Sequence, residues 1–368
     1  MAKSKKSGKE AAAKSKKLKA AVVGLGMGGG HAMEYQKSRY ADLVAVCDVS
    51  TARIANFCKA GLSARQEGVE CATYEDFDEL LDKEKPDLVS ICVPNDLHAP
   101  FTLKALQAGA HVLCEKPLAT NADDAARMVE TARAKGLKFA VNLSFRFTPQ
   151  SRFLHSMAEA GEFGEVYFAH TVWHRRRGMP FGTGWFTDVT RSGGGPLIDL
   201  GVHRLDLAWW LMGRPRPVRA TGVTYAKFAD AYSEKFGARV TTEDLAAALI
   251  RFENGAALSV QASWAGNVEW RERMVTRLWG TKAGAVQENT GEGYGFACRI
   301  LRSAAGAEVD VTPHDGMLPE SPSSVDDFCR AVVDGTPLLA PGEDGLQVQR
   351  MLDAIYRSAK QGCEVEVD

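Results

Sequence analysis

From Leu18 onward the chain alternates between short, continuous apolar runs and amphipathic stretches. LKAAVVGLG, DLVAVCDVS and DLVSICVPN are apolar at successive positions, as strands covered on both faces are. HVLCEK and LKFAVNLS continue the series. Between these runs lie helical patterns. STARIANFCKAG closes at Gly61, EDFDELLDKEKP is short and acidic, and HAPFTLKALQAG has Gly109 just past its end. NADDAARMVETARAKG opens on Thr120 or Asn121 as cap, carries acids in its first turn and stops at Gly136. Strands alternating with helices predict a doubly wound parallel sheet over residues 18–142.

After Phe145 the texture changes. EVYFAHTVWHRR, VRATGVTYAKF, DLAAALIRF, AALSVQASW and RMVTRLWG read as strands with little helix between several of them, and Asn254-Gly255 marks a type I′ hairpin. Residues 143–368 are therefore expected to form an α+β domain around a large, mostly antiparallel sheet. One helix interrupts it, PLIDLGVHRLDLAWWLMG, with Pro196 near its start and Gly213 past its end. SSVDDFCRAVVDG and EDGLQVQRMLDAIYRSAKQG supply two closing helices. Length agrees, because 368 residues exceed one ordinary core.

Charge adds one feature. Residues 1–19 hold eight lysines and one glutamate, whereas the whole chain has a net charge of −1. Such a run repels itself and has little to bury, so residues 1–17 are expected to be a disordered or partly helical basic arm. It lacks the apolar core of a secretory signal. The net charge of −1 gives no sign of a nucleic-acid surface, and no run of about 18 apolar residues offers a membrane span. The eight cysteines are dispersed, without CxxC or zinc-like spacing, which fits a reducing compartment and hence the cytoplasm.

Three constellations carry chemistry. Gly24-Leu25-Gly26-Met27-Gly28-Gly29 matches G-x-G-x-x-G between a predicted strand and a helix, where glycines let the backbone approach a pyrophosphate on a helix N-terminus. Asp48, 24 residues after Gly24 at the end of the next strand, is placed to hold both ribose hydroxyls of NAD, with NADP disfavoured by its charge. Glu115-Lys116-Pro117 ends the strand HVLCEK, at the sheet edge where ligands bind. There Lys116 is either a donor to a substrate oxygen or a surface charge. Asp199 and His203, at i and i+4 on the interrupting helix, suit proton abstraction from an alcohol. A purely structural acid–histidine pair and a corner of a metal site also fit that spacing, although no second histidine or cysteine cluster supports a metal.

GLGMGG, Asp48, VPNDLHAPFTLKALQAGAHVLCEKPLA, VNLSFRF and GGGPLIDLGVHRLDLAWWLMG occur in this order, and the ordered set resembles the Gfo/Idh/MocA oxidoreductases from Leu18 to Val365. The resemblance implies a Rossmann domain followed by a catalytic α+β domain. It maps Lys116 to the family's catalytic lysine and Asp199 and His203 to its aspartate–histidine pair, often with a cis bond before Pro117. It also implies that Asn95, His98 and Glu115 join the glycines, Met27 and Asp48 at the cofactor. His98 equally suits a helix cap. In WHRRRGMPFGTGWF, the residues Trp173, Arg175, Arg176 and Trp185, with His174, are candidates to stack on and hydrogen-bond a sugar, or are a strand end and a lid; Arg146 is a candidate brace of the same site.

The expected activity is hydride transfer between NAD(H) and a hydroxyl carbon of a sugar, glycoside or cyclitol, with His203 positioned by Asp199 and no metal. Two rivals remain: an NAD-retaining glycosidase or epimerase that oxidises its sugar transiently, and a non-catalytic dinucleotide sensor. Small polyols, not nucleic acid or membrane, are the expected partners. DLAAALIRF and AALSVQASW are apolar on both faces, which implies a homodimer or homotetramer built on that sheet.

Overall fold

The computed structural model describes residues 17–60, 71–180, 184–237, 239–314, 316–318 and 320–368. The basic arm up to residue 16 and the expected helix stop at Gly61 lie outside these residues.

The apolar runs become β1 (Leu18–Val23), β2 (Ala41–Cys47), β3 (Ala72–Tyr74), β4 (Leu88–Ile91), β5 (His111–Cys114) and β6 (Phe139–Val141), an all-parallel sheet in the order β3-β2-β1-β4-β5-β6. The order reverses between β2 and β4 around β1, which opens a crevice at the C-terminal edge. The helices that cover the sheet are α1 (Gly28–Lys37), α2 (Thr51–Lys59), α3 (Phe77–Glu84), α4 (His98–Gln107) and α5 (Ala122–Ala134). Asn121 caps α5 by accepting from the Asp124 N–H, and Gly109 and Gly136 take the left-handed conformation past α4 and α5.

The remaining helices are α6 (Pro149–Glu159), α7 (Val189–Ser192), α8 (Val202–Leu211), α9 (Ala229–Phe236), α10 (Ser324–Asp334) and α11 (Gly342–Gln361). They accompany a nine-stranded sheet of β7 (Val166–Arg175), β8 (Pro217–Tyr225), β9 (Leu245–Phe252), β10 (Ala257–Ser263), β11 (Glu272–Gly280), β12 (Gly284–Asn289), β13 (Phe296–Ala304), β14 (Ala307–Val311) and β15 (Val365–Glu366). Its order is β14-β13-β12-β11-β7-β10-β9-β8-β15, antiparallel throughout except for the central β7–β10 pair. Every residue of α8 is buried, packed on this sheet.

Two expectations change. Asn254-Gly255 does not form a type I′ turn, because only Gly255 has positive φ. The Gly255 N–H donates to the Phe252 carbonyl and the Phe252 N–H to that of Ala256, the pattern of a turn followed by a left-handed glycine. The interrupting helix is not regular either. Leu197–Gly201 winds as a π-helical turn before α8 begins, which changes the angle between Asp199 and His203.

α10 does not stay with the second sheet. Val325, Phe328 and Cys329 pack with Ala20, Val22, Tyr35 and Leu88 on the parallel sheet, and the Val141 N–H donates to the Ala340 carbonyl beside β6.

Candidate active site

The glycine turn after β1 is shaped by three different demands. Gly24 has φ +86°, and a Cβ there would stand 2.3 Å from the Cys92 carbonyl oxygen. A Cβ on Gly28 would meet the Val22 side chain at 2.7 Å, so this glycine lets α1 pack on β1. Gly26 faces open space, with nothing within 4 Å of an added Cβ, and borders the main cavity with Gly24 and Met27. A tight turn, a close helix and an open cradle are what a pyrophosphate needs. Gly28 and Gly29 do not line that cavity.

The cavity, of about 970 Å³, runs along the C-terminal edge of the parallel sheet to the second domain. Asp48 lies at one end with its carboxylate fixed, accepting from the Leu25 N–H (2.7 Å) and the Ser50 N–H (2.8 Å), while Arg53 stands 3.6 Å away. Asn95 lines the middle and donates to the Ser192 carbonyl of α7, tying the two domains together. His98 borders the cavity too, but both ring nitrogens face backbone carbonyls, of Pro117 (2.7 Å) and Val93 (3.0 Å). It braces two strand ends and has no ring nitrogen left for a ligand.

Beneath Lys116 is a buried polar network. Glu115 Oε1 accepts from Asn142 Nδ2 (2.6 Å) and pairs with His31 Nε2 (3.1 Å), and its Oε2 accepts the Lys116 N–H. Burial alone would raise the Glu115 pKa, but the hydrogen bond and charge of His31, with Asn142 and Lys116, bring it down to about 2. The Lys116-Pro117 bond is cis.

The Lys116 ammonium donates to Asp199 Oδ1 and to the Asp199 carbonyl, both at 2.9 Å, and Trp264 Nε1 donates to Oδ2 at 3.0 Å. Burial opposes ionisation of Asp199, yet the Lys116 charge and these donors outweigh it and lower the pKa. His203 lines the same end of the cavity. Among the described residues its buried Nδ1 has no hydrogen-bond partner, so Asp199 does not hold the ring as the helical spacing suggested. The carboxylate is occupied by Lys116 and Trp264 instead. Burial, and then the Lys116 charge, push the His203 pKa well below its usual value, leaving a neutral ring able to take a proton.

Glu243 sets the π-turn in place. Its buried carboxylate accepts the N–H groups of Gly195 (2.8 Å) and Leu197 (3.2 Å) and the Tyr356 hydroxyl (2.7 Å). A Cβ on Gly195 would stand 2.2 Å from the Glu243 carbonyl oxygen.

Of the remaining sequence candidates, Trp173, Arg175 and Trp185 line the cavity; Arg146 and Arg176 do not. Arg176 is exposed and its N–H is spent on the Arg271 carbonyl. Arg146 is fully buried, paired with Asp206 of α8 and Asp344 of α11. His31, Asn142, Glu243, Trp264, Glu272 and Tyr294 were not singled out from sequence. A strand-end rule points to Asn142, which follows β6 at the ligand-binding edge; Tyr294, in the turn between β12 and β13, carries no such signal. Among the described residues no cluster of three or more metal-ligating side chains occurs, and no helix is long and apolar enough to cross a membrane.

By its fold and the chemistry at its cleft, the protein is an oxidoreductase of the dinucleotide-binding class. Residues 18–143 match the oxidoreductase family with an NAD-binding Rossmann fold, and residues 151–286 match that family's C-terminal domain, so the chain belongs to the Gfo/Idh/MocA family. It is 32% identical over 367 residues to D-glucoside 3-dehydrogenase of Escherichia coli (strain K12), covering 96% of this chain and 98% of that one. It is 28% identical to levoglucosan dehydrogenase of Pseudarthrobacter phenanthrenivorans, over 84% of this chain and 86% of the relative. Among solved structures, aldose-aldose oxidoreductase from Caulobacter crescentus, complexed with glycerol, superposes with a TM-score of 0.77 at 25% identity over 95% of this chain and 100% of the other.

Proposed function

We propose that the protein oxidises a hydroxyl group of a sugar, glycoside or cyclitol with NAD as hydride acceptor. The observation that carries this reading is the Lys116 ammonium, fixed by Asp199 at 2.9 Å in the cavity that the neutral His203 also lines. The relatives that act on a glucoside and on levoglucosan support the substrate class. A bound nicotinamide supplies the acceptor for the hydride leaving the substrate carbon. His203 accepts the hydroxyl proton. Lys116 donates to the same oxygen and steadies the charge that develops on it, while Asp199 aims the ammonium. The test is NADH absorbance during incubation with NAD and a panel of neutral glycosides and inositols; no NADH from any of them overturns the reading.

NAD is favoured over NADP because the Asp48 carboxylate, held by two backbone N–H groups, repels a 2′-phosphate, and Arg53 is already drawn towards it. Equal kcat/KM for the two cofactors would count against this. We also propose a cytoplasmic homodimer or homotetramer. Cys47, Cys92, Cys114, Cys298 and Cys329 are buried in the cores as small apolar side chains, in keeping with a reducing compartment. The sheet face opposite α8 carries the exposed Trp279, packed on Phe168 at 5.1 Å beside the buried Val172, Val275 and Val286, and this is the face that a second copy would cover. Light scattering at micromolar concentration decides, and a monomer overturns the assembly.

A further inference from the structure

The substrate end of the cavity contains cations, yet each of them is already matched. Lys116 pairs with Asp199 at 2.9 Å, Arg191 with Asp96 at 3.2 Å and Arg175 with Glu272 at 2.7 Å. Among the described residues that line the cavity, no lysine or arginine lacks a carboxylate partner; Arg204, which has none, is buried behind the wall against Phe145 and Trp173. The cavity walls here are aromatic: Trp173, Tyr294 and the stacked pair Trp185 and Phe186, whose rings lie 4.0 Å apart. Such planes suit the apolar face of an uncharged pyranose.

Arg175 is held more firmly than a wall residue needs to be. Its Nε donates to Glu272 Oε1 at 2.7 Å, and its Nη2 to the Tyr294 hydroxyl at 2.9 Å. Glu272 Oε1 also accepts the Trp173 indole N–H at 2.8 Å, which locks the arginine to the aromatic wall. A guanidinium has five N–H donors on three nitrogens. Among the described residues, Nη1 is the nitrogen without a protein partner, on a side chain that lines the cavity and is only 21% exposed. Two tethers aim this fork, one of them cancels its charge, and a donor pair is left for a ligand.

Resting on the sugar-oxidising reading above, we propose that Arg175, clamped by Glu272 and Tyr294, forms a substrate subsite whose Nη1 donates to a ring hydroxyl of an uncharged glycoside, and that Glu272 excludes sugar acids by neutralising it. Glu272 thus sets specificity through Arg175, while Arg175 makes the contact.

The experiment measures calorimetric binding of methyl glucopyranoside and of the corresponding methyl glucuronide to the NADH-loaded protein, a readout that needs no turnover. The wild type is expected to bind the glucoside at least about tenfold more tightly. R175M should weaken the glucoside by about tenfold or more, the size of one hydrogen bond to a charged group, without altering NADH binding. E272Q keeps an acceptor oxygen and the side-chain volume but removes the counter-charge, so the preference should move about tenfold towards the glucuronide. Melting temperature checks that each variant folds, and the wild-type comparison stands even where a variant does not. Equal wild-type affinities, an unchanged preference in E272Q, or unchanged glucoside affinity in R175M overturns the subsite and leaves the sugar-oxidising reading in place. Binding of neither sugar overturns the subsite for glycosides, and the sugar-oxidising reading falls with it only where no member of the glycoside and inositol panel yields NADH.

Discussion

Two carboxylates seven residues apart, Asp199 in the π-turn and Asp206 in α8, each meet a cation from outside their own helix, and the two pairs do different things. Asp199 receives Lys116 from the end of β5, in the cavity wall. Asp206 receives Arg146 from the segment after β6, where neither side chain has measurable contact with solvent beyond 1%. Burial opposes the ionisation of both. For Asp199 the Lys116 charge overcomes it and the pKa falls; for Asp206 burial wins over Arg146 and the pKa rises. A third carboxylate, Asp344, shares Arg146 and ties α11 into that pair. A cation–carboxylate pair open to a cavity poises a donor for a ligand, and the same pair sealed in the core holds helices together.

The comparison breaks most visibly at the open end. H203A and K116A are each expected to lower kcat by about 10²–10⁴-fold, the usual share of a general acid or base, with NADH affinity and melting temperature close to wild type. Near-normal turnover in H203A would remove His203 from the chemistry. At the sealed end the effect moves to stability. R146M leaves Asp206 and Asp344 buried without their common partner, and a loss of about 3–5 kcal/mol in denaturant unfolding is expected. If R146M instead folds normally and loses only catalysis, the contrast between the two pairs is wrong.

D199N sharpens the comparison. Asparagine can still accept the Trp264 N–H but offers Lys116 an amide donor in place of one carboxylate oxygen, so the ammonium shifts. The activity loss is expected at up to about 10²-fold, the cost of a small misplacement, and smaller than that of H203A.

The mildest test is pH. Because the His203 pKa is lowered, the ring is neutral through the neutral range and takes a proton only at more acidic values. kcat/KM is expected to hold as pH falls to about 6.5, the ordinary value for histidine, and to decline below it. A decline that begins above that point would show a histidine that is not depressed.

Much of this arrangement was legible in the chain. Continuous apolar runs gave the parallel strands, because strands buried on both faces have no polar alternation to hide them. The glycine turn, Asp48 and Lys116 stand at strand ends, where sheet topology places ligands. What could not be read falls into two kinds. β14 is mostly exposed, so no burial pattern marks it. The setting of Asp199 includes a π-turn whose start Glu243 holds from 46 and 48 positions along the chain, and periodicity assumes a regular helix. From its place in the FRF run Arg146 reads as a brace of the site; its two carboxylates come from 60 and 198 residues away, beyond any local pattern.

The return of α10 to the first sheet bears on how the molecule is made. Val325, Phe328 and Cys329 complete the packing that α1 and α2 begin over Ala20, Val22 and Leu88, so that face is only partly covered on a ribosome until Ser324 and the residues after it emerge. The N-terminal domain is first to be synthesised and among the last to be finished. Chains truncated before α10 carry an open apolar surface, the kind that chaperones and proteases recognise. The fold thereby marks its own unfinished copies.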